Sequence, residues 1–132
     1  MSLETFKHNS EIYALILRSD FDTEGIQFFT PGNFSQQLGY MKRPSGYQIA
    51  PHIHLDVERS VVKTQEVLFI KSGKVLVNFY DYEKHHVGKV ILESGDIVLL
   101  AGGGHGFEML EESIIVEVKQ GPYCGEADKM RF

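Results

Sequence analysis

Short apolar stretches rich in β-branched and aromatic residues recur along the chain, and turn-forming residues separate them. Apolar and polar residues that alternate over such stretches are typical of half-buried strands. The pattern predicts about ten strands, at 12–18, 26–29, 37–41, 47–54, 66–70, 75–80, 90–92, 97–100, 107–110 and 114–119. Short strands at fairly even spacing favour an antiparallel sandwich or barrel.

The segments between these strands carry distinct signals. Ser72-Gly73 and the run from Glu93 to Asp96 each divide two apolar stretches, which predicts two hairpin turns. His85-His86 lies in a polar stretch that predicts an exposed hairpin tip. Residues 55–65 form a longer polar connection. Helical turns are expected only within residues 2–10 and 124–131.

Composition favours one folded domain over residues 1–132, with a core from about 12 to 120 and a C-terminal arm over 121–132. The chain is 42% hydrophobic and 23% charged, which is ordinary for a globular protein. No apolar run reaches the ~18 residues of a membrane helix, and the N-terminus lacks a secretion signal. One cysteine, Cys124, excludes an intrachain disulfide, so a cytoplasmic protein is expected. A net charge of −5 argues against a nucleic-acid partner.

The sequence Pro51-His52-Ile53-His54 is the clearest chemical signal. In a strand, residues two apart point to the same face, so two such imidazoles can converge on one metal ion. The same pattern also fits two surface or hydrogen-bonded histidines. On this strand Gln48 shares the face of the two histidines and is expected to point into the same cavity.

The spacing of glycine, histidine and glutamate residues resembles the two-part signature of the cupin superfamily. The first part is matched by Gly46, His52, His54, Glu66 and Gly73, and the second by Gly95, Ala101, Gly103 and His105. The chain departs from the family pattern in three places. Eleven residues separate His54 from Glu66, Ala101 replaces a proline with His105 one residue early, and Met109 stands where asparagine is usual.

The long gap leaves two glutamates as candidates for the carboxylate ligand. Glu58 fits the short family spacing, but it lies in the polar connection, where a solvated charge is the ordinary role. Glu66 is preferred because the strand and the turn that follow it match the family pattern. By alternation Leu68 and Ile70 share the face of Glu66, which predicts an apolar inner wall.

The cupin resemblance implies a jelly-roll β-barrel of two antiparallel sheets, with metal ligands at His52, His54, Glu66 and His105. Such a nitrogen–oxygen site would hold one divalent transition metal ion (zinc, manganese, iron or nickel) and keep coordination positions open. The alternative is a degenerate cupin in which these residues form a buried polar network. The family also implies a homodimer, and the predicted strand at 12–18 would offer an edge for it.

A small-molecule ligand or substrate is expected in the barrel. The C-terminal run from Val118 to Tyr123 resembles the tail of small bacterial cupins associated with surface polysaccharides and sugar metabolism. This favours a metal-dependent isomerase or epimerase acting on a sugar or sugar phosphate. An iron(II) dioxygenase and a non-catalytic binding or sensor protein are the alternatives.

The pocket residues are less well defined than the metal ligands. Tyr40 and Tyr80 are candidates for moving a proton, and Arg43, Arg59 and Lys63 are candidates for holding an anion. For the three cations an ordinary surface position is the competing interpretation. The glycines at 102–104 predict a tight turn that aims His105 inward, and the alternative is an anion-binding loop.

Overall fold

A computed structural model of the chain describes residues 2–132, and over this range the protein is all β without a helix. All strand pairs are antiparallel. The strands are β1 (Leu3–His8), β2 (Glu11–Leu17), β3 (Gly25–Phe28), β4 (Gly39–Lys42), β5 (Glu66–Ser72), β6 (Lys74–Tyr80), β7 (His86–Glu93), β8 (Ile97–Leu100), β9 (Gly104–Met109) and β10 (Ile114–Lys119).

The strands form three sheets. The large sheet has the order β1-β2-β8-β5-β10, and the small sheet has the order β7-β6-β9. A two-stranded ribbon consists of β3 and β4. The prediction of an all-β fold built from antiparallel sheets is therefore confirmed.

The main core lies between the large and the small sheets. Ile16, Ile70 and Leu100 of the large sheet pack with Val77 and Phe79 of the small sheet, and each is at most 2% exposed. Leu68 and Ile70 are both buried on the face that Glu66 shares, as predicted. This burial is the main stabilising term of the fold, at roughly 1.5–3 kcal/mol for each large apolar side chain.

A second cluster covers the opposite face of the large sheet. Leu15 and Leu99 pack there against Leu38, with Phe29 and Phe34 beside them. β2 and β8 are consequently buried on both faces. This explains why their sequences are continuous apolar runs and do not alternate.

The N-terminal residues form a strand, so the expected helical turn within 2–10 is wrong. β1 pairs with β2, and Phe6 stacks on Phe79 at 4.4 Å between ring centroids. Packing on the core thus decides the structure of this segment. The pairing also makes β2 an interior strand, so the expected edge at 12–18 does not exist, and β1 and β10 are the edges of the large sheet.

The two predicted hairpins are corners between sheets. Gly73 joins β5 of the large sheet to β6 of the small sheet, and Gly95 lies between β7 and β8, which also belong to different sheets. Both glycines have positive φ, +100° and +89°, which only glycine adopts readily. A turn signal marks where the chain reverses, but it does not determine which sheet receives the next strand.

The predicted strand at 47–54 is also absent. No strand forms between β4 and β5, and every residue from 43 to 64 is exposed. We refer to residues 43–64 as the connecting segment. A strand is stabilised by a neighbour in a sheet, and this segment has none within its own chain. At the other end of the chain, residues 125–128 form turns, as expected.

Among residues 2–132 no helix has the length and apolar character needed to cross a membrane.

Candidate functional site

Glu66 and His105 point toward each other from two different sheets. Glu66 begins β5 and lies opposite Leu100, a residue of the main core. His105 is on β9 and lies opposite Phe79, which belongs to the same core. Since residues directly opposite each other share a face of the sheet, both side chains point between the sheets. They lie where the apolar core ends.

The two side chains form a short polar contact, and the second nitrogen of His105 has no partner. His105 Nε2 lies 2.8 Å from Glu66 Oε1. The hydrogen bond from His105 outweighs the effect of partial burial and lowers the pKa of Glu66 to about 2. His105 Nδ1 is buried and has no hydrogen-bond partner. A buried nitrogen without a partner is costly, and a ligand bound there would remove that cost.

A second carboxylate lies beside the pair. Glu117 on β10 is opposite Leu68, so it shares the inward face with Glu66. A hydrogen bond with Glu66 raises the pKa of Glu117, and burial and the charge of Glu66 act in the same direction. Sequence reasoning missed Glu117. A signal was present, because Glu117 is the one charged residue within the apolar run from Ile114 to Val118.

The glycines before His105 form the predicted tight turn. Gly103 has φ +64°, and a Cβ at this position would overlap the ring of Tyr13. Gly103 N–H donates a hydrogen bond to the Tyr82 hydroxyl at 3.1 Å. The backbone therefore passes directly over an aromatic side chain, and the turn feeds β9 so that His105 points inward.

A cleft of about 1070 Å³ opens beside Glu66 and His105. Its wall combines aromatic side chains with charged ones, among them Tyr80, Phe107 and Lys119. The C-terminal arm does not leave the sheets but returns along the cleft. Asp128 accepts a hydrogen bond from Thr64 at 3.0 Å, and the ring of Phe132 lies 5.1 Å from that of Tyr80.

Tyr82 lies in a hydrogen-bonded network on the same cleft. Its hydroxyl donates to Glu11 Oε2 at 2.7 Å, and Lys63 Nζ donates to the same oxygen at 3.0 Å. These bonds to Tyr82 and Lys63 outweigh desolvation and lower the pKa of Glu11. Sequence reasoning did not identify Tyr82 or Glu11. No local signal could have done so, because 71 residues separate them.

The histidines of the His-x-His pair lie together, but away from sheet structure. The His52 and His54 rings are 5.2 Å apart, and His52 Nδ1 lies 2.9 Å from the Ala50 carbonyl oxygen. Both belong to the exposed connecting segment. Gln48 lies in the same segment, so strand alternation does not place it on a shared face.

The structure separates the other predicted pocket residues into two groups. Tyr80 and Lys63 line the cleft. Tyr40 does not; it packs edge-on against Phe21 at 4.9 Å. Arg43 is exposed and stacks over the Tyr47 ring at 4.5 Å, and Arg59 is exposed in the connecting segment.

The four predicted metal ligands are therefore not gathered within one chain. Over residues 2–132 no group of three or more His, Cys, Asp or Glu side chains is arranged to hold a metal ion. Glu66 and His105 do suit one, since Glu66 Oε1 and His105 Nε2 lie 2.8 Å apart and could both bind one divalent transition metal ion at about 2.0–2.2 Å. Two donors are fewer than the three or four protein ligands of such sites.

Comparisons of the chain with family models, with curated proteins and with solved structures found no match.

Proposed function

We propose that this protein is a metal-binding cupin that acts on a small polar metabolite such as a sugar or sugar phosphate. The observation that carries the proposal is the pair formed by Glu66 and His105, whose Oε1 and Nε2 atoms lie 2.8 Å apart on the wall of a large cleft. Two antiparallel sheets around one core, joined by turns at which the chain passes from one sheet to the other, support a jelly-roll as the finer architecture.

The metal ion would be held by Glu66 and His105, and by His52 and His54 as the remaining ligands. A divalent transition metal ion held there would act as a Lewis acid toward a carbonyl or hydroxyl oxygen of the substrate. Glu66 is ionised at neutral pH, which suits a ligand. The hydrogen bond with Glu66 raises the pKa of Glu117, and this bond would help to fix the orientation of the Glu66 carboxylate.

Isomerisation or epimerisation also needs a group that moves a proton, and we assign this role to Tyr82. Its hydroxyl lies on the cleft and is linked to Glu11 and Lys63, so a proton can pass between the hydroxyl and the carboxylate. The aromatic wall suits the apolar face of a sugar ring, and the polar groups suit its hydroxyls. The proposed reaction class is proton transfer at a carbon next to a carbonyl.

The metal site is tested by a matched pair of glutamate substitutions. Glu66→Gln should weaken binding of zinc, manganese, iron(II) or nickel by at least about 100-fold, because loss of a group that merely orients a ligand already costs 10–100-fold. Glu58→Gln, in the exposed connecting segment, should leave affinity unchanged. Isothermal titration measures both. The reverse result would make Glu58 the ligand, and a parent protein that binds none of these ions would contradict the proposal.

The reaction is tested by solvent exchange. Hexose and ketose phosphates incubated with the metal-loaded protein in D₂O should take up deuterium next to the carbonyl, as seen by proton NMR. Tyr82→Phe should abolish this uptake and keep metal content, whereas Tyr123→Phe, at a 93% exposed position, should change neither. Tight binding of a sugar phosphate without exchange would instead establish a binding protein.

A further inference from the structure

The connecting segment, residues 43–64, carries a strand pattern that its own chain does not use. From 47 to 58 the odd positions are apolar, including Tyr47, Ile49, Ile53, Leu55 and Val57, and the even positions include both histidines. Ile53 is 87% exposed and Leu55 80% exposed. This alternation, interrupted only by Ala50, indicates a strand with one buried face. The segment therefore has the pattern of a strand but no sheet to pair with in its own chain.

β9 and β10, which both line the cleft, are edge strands of their sheets. β9 pairs only with β6, and β10 pairs only with β5, which leaves one side of each without backbone partners. Both edge strands expose several apolar side chains, among them Phe107 and Met109 on β9 and Val116 and Val118 on β10. Free edges of this kind recruit a further strand.

The exposed surface is larger than that of a compact monomer, and the excess fits a dimer interface. The chain exposes 9217 Å². A compact protein of 15.0 kDa exposes about 7,000 Å², an excess of about 2,200 Å² per chain. For two chains that is about 4,400 Å², within the ~2,000–5,000 Å² that permanent dimers bury. The connecting segment alone matches the roughly 20–30 residues that each partner contributes to such an interface.

We propose that the connecting segment of one copy adds to the β9 edge of a second copy and delivers His52 and His54 to Glu66 and His105 there. Neighbouring strands place opposite residues about 4.5–5.5 Å apart, so an added strand brings two alternate histidines within reach of His105. The metal site is then complete only in the dimer. A two-fold axis makes the exchange reciprocal, which closes the assembly at two chains.

This inference rests on the proposed metal site, and the test separates the two. One variant carries His52→Ala and His54→Ala, and the other carries Glu66→Gln and His105→Ala. The two chains are co-expressed with different tags, and mixed dimers are isolated through both tags. If the site spans two copies, a mixed dimer contains one intact site and one that lacks all four ligands. It should therefore hold half as much zinc per chain as the parent, while each variant alone holds almost none.

A site within one chain predicts no zinc in the mixed dimer, which would overturn the exchange and keep the metal site. A parent that binds no zinc, nickel or manganese would overturn the proposed function itself.

Light scattering tests the dimer without reference to metal binding, because it measures the mass of the assembly. The parent should have a mass of about 30 kDa, twice that of one chain. Ile53→Asp with Leu55→Asp should reduce it to one chain, and Tyr123→Asp should not. A monomeric parent contradicts the exchange.

Discussion

β2 and the connecting segment carry comparably strong apolar patterns, yet β2 is a buried strand and the connecting segment is exposed and unpaired. β2 pairs with β1 on one side and β8 on the other, and its residues from Tyr13 to Leu17 are at most 6% exposed. The connecting segment has no sheet partner, and all its residues are exposed. The comparison shows that an alternating pattern allows a segment to form a strand but does not ensure that it does. The outcome also depends on whether a partner strand is available, and the sequence of the segment itself does not specify that partner.

The two regions should differ most in the free energy of unfolding that is lost when an isoleucine is replaced by alanine. Ile16 of β2 is 2% exposed, and Ile53 of the connecting segment is 87% exposed. Ile16→Ala should lower the free energy of unfolding by about 2–5 kcal/mol, because it removes buried methyl groups and leaves a cavity. Urea denaturation measures this loss. It should not depend on protein concentration.

Ile53→Ala is the matched substitution in the connecting segment. With the chain kept monomeric by dilution, it should change the free energy of unfolding by less than about 0.5 kcal/mol. If the segment docks on a second copy, a larger cost should emerge as protein concentration rises. A cost of several kcal/mol at high dilution would mean that the segment is buried within its own chain.

The next effect concerns two aspartates. Asp96, 3% exposed at the corner between β7 and β8, accepts hydrogen bonds from Arg18, Ser19 and Glu93. Asp96→Ala should cost about 1–3 kcal/mol, since the Ser19 and Glu93 N–H groups lose their acceptor and Arg18 loses one of its two carboxylate partners, keeping Glu4. Asp56→Ala in the connecting segment should cost almost nothing. Similar losses for both would show that the corner network contributes little to stability.

Most strands could be predicted from the sequence, because a strand that is buried on a packed sheet carries an apolar pattern in its own residues. The apolar runs of β2, β5, β6 and β8 were recognisable without knowledge of their neighbours. β1 was not, since its polar residues Glu4 and Lys7 obscure a strand that Phe6 anchors to the core. The sheet order was equally hidden, because corners at Gly73 and Gly95 look like hairpin turns in sequence.

The candidate site divides in the same way. Motif spacing singled out Glu66 and His105, and the structure brings these two together across facing sheets. Glu11 and Tyr82 meet only through the tertiary fold, so no spacing rule indicates them. His52 and His54 were placed on a strand by alternation alone, and alternation does not specify the sheet or the chain that supplies the partner.

The smallest expected change in stability follows substitution of Asp81 in the turn between β6 and β7. The Asp81 carboxylate accepts hydrogen bonds from the His85 and Glu83 amides at 2.8 and 2.9 Å, and the bond from the His85 amide is the main cause of its lowered pKa. A carboxyl with a lowered pKa stabilises the fold above about pH 4, and this contribution is lost as pH falls further. Asp81→Asn keeps an acceptor oxygen but removes the charge. It should lower the melting temperature by about 1–2 °C at pH 7, and the difference should shrink toward pH 3. Asp56→Asn, in the connecting segment, should change nothing at either pH. A difference for Asp81→Asn that stays constant from pH 3 to pH 7 would assign the effect to turn geometry and not to charge.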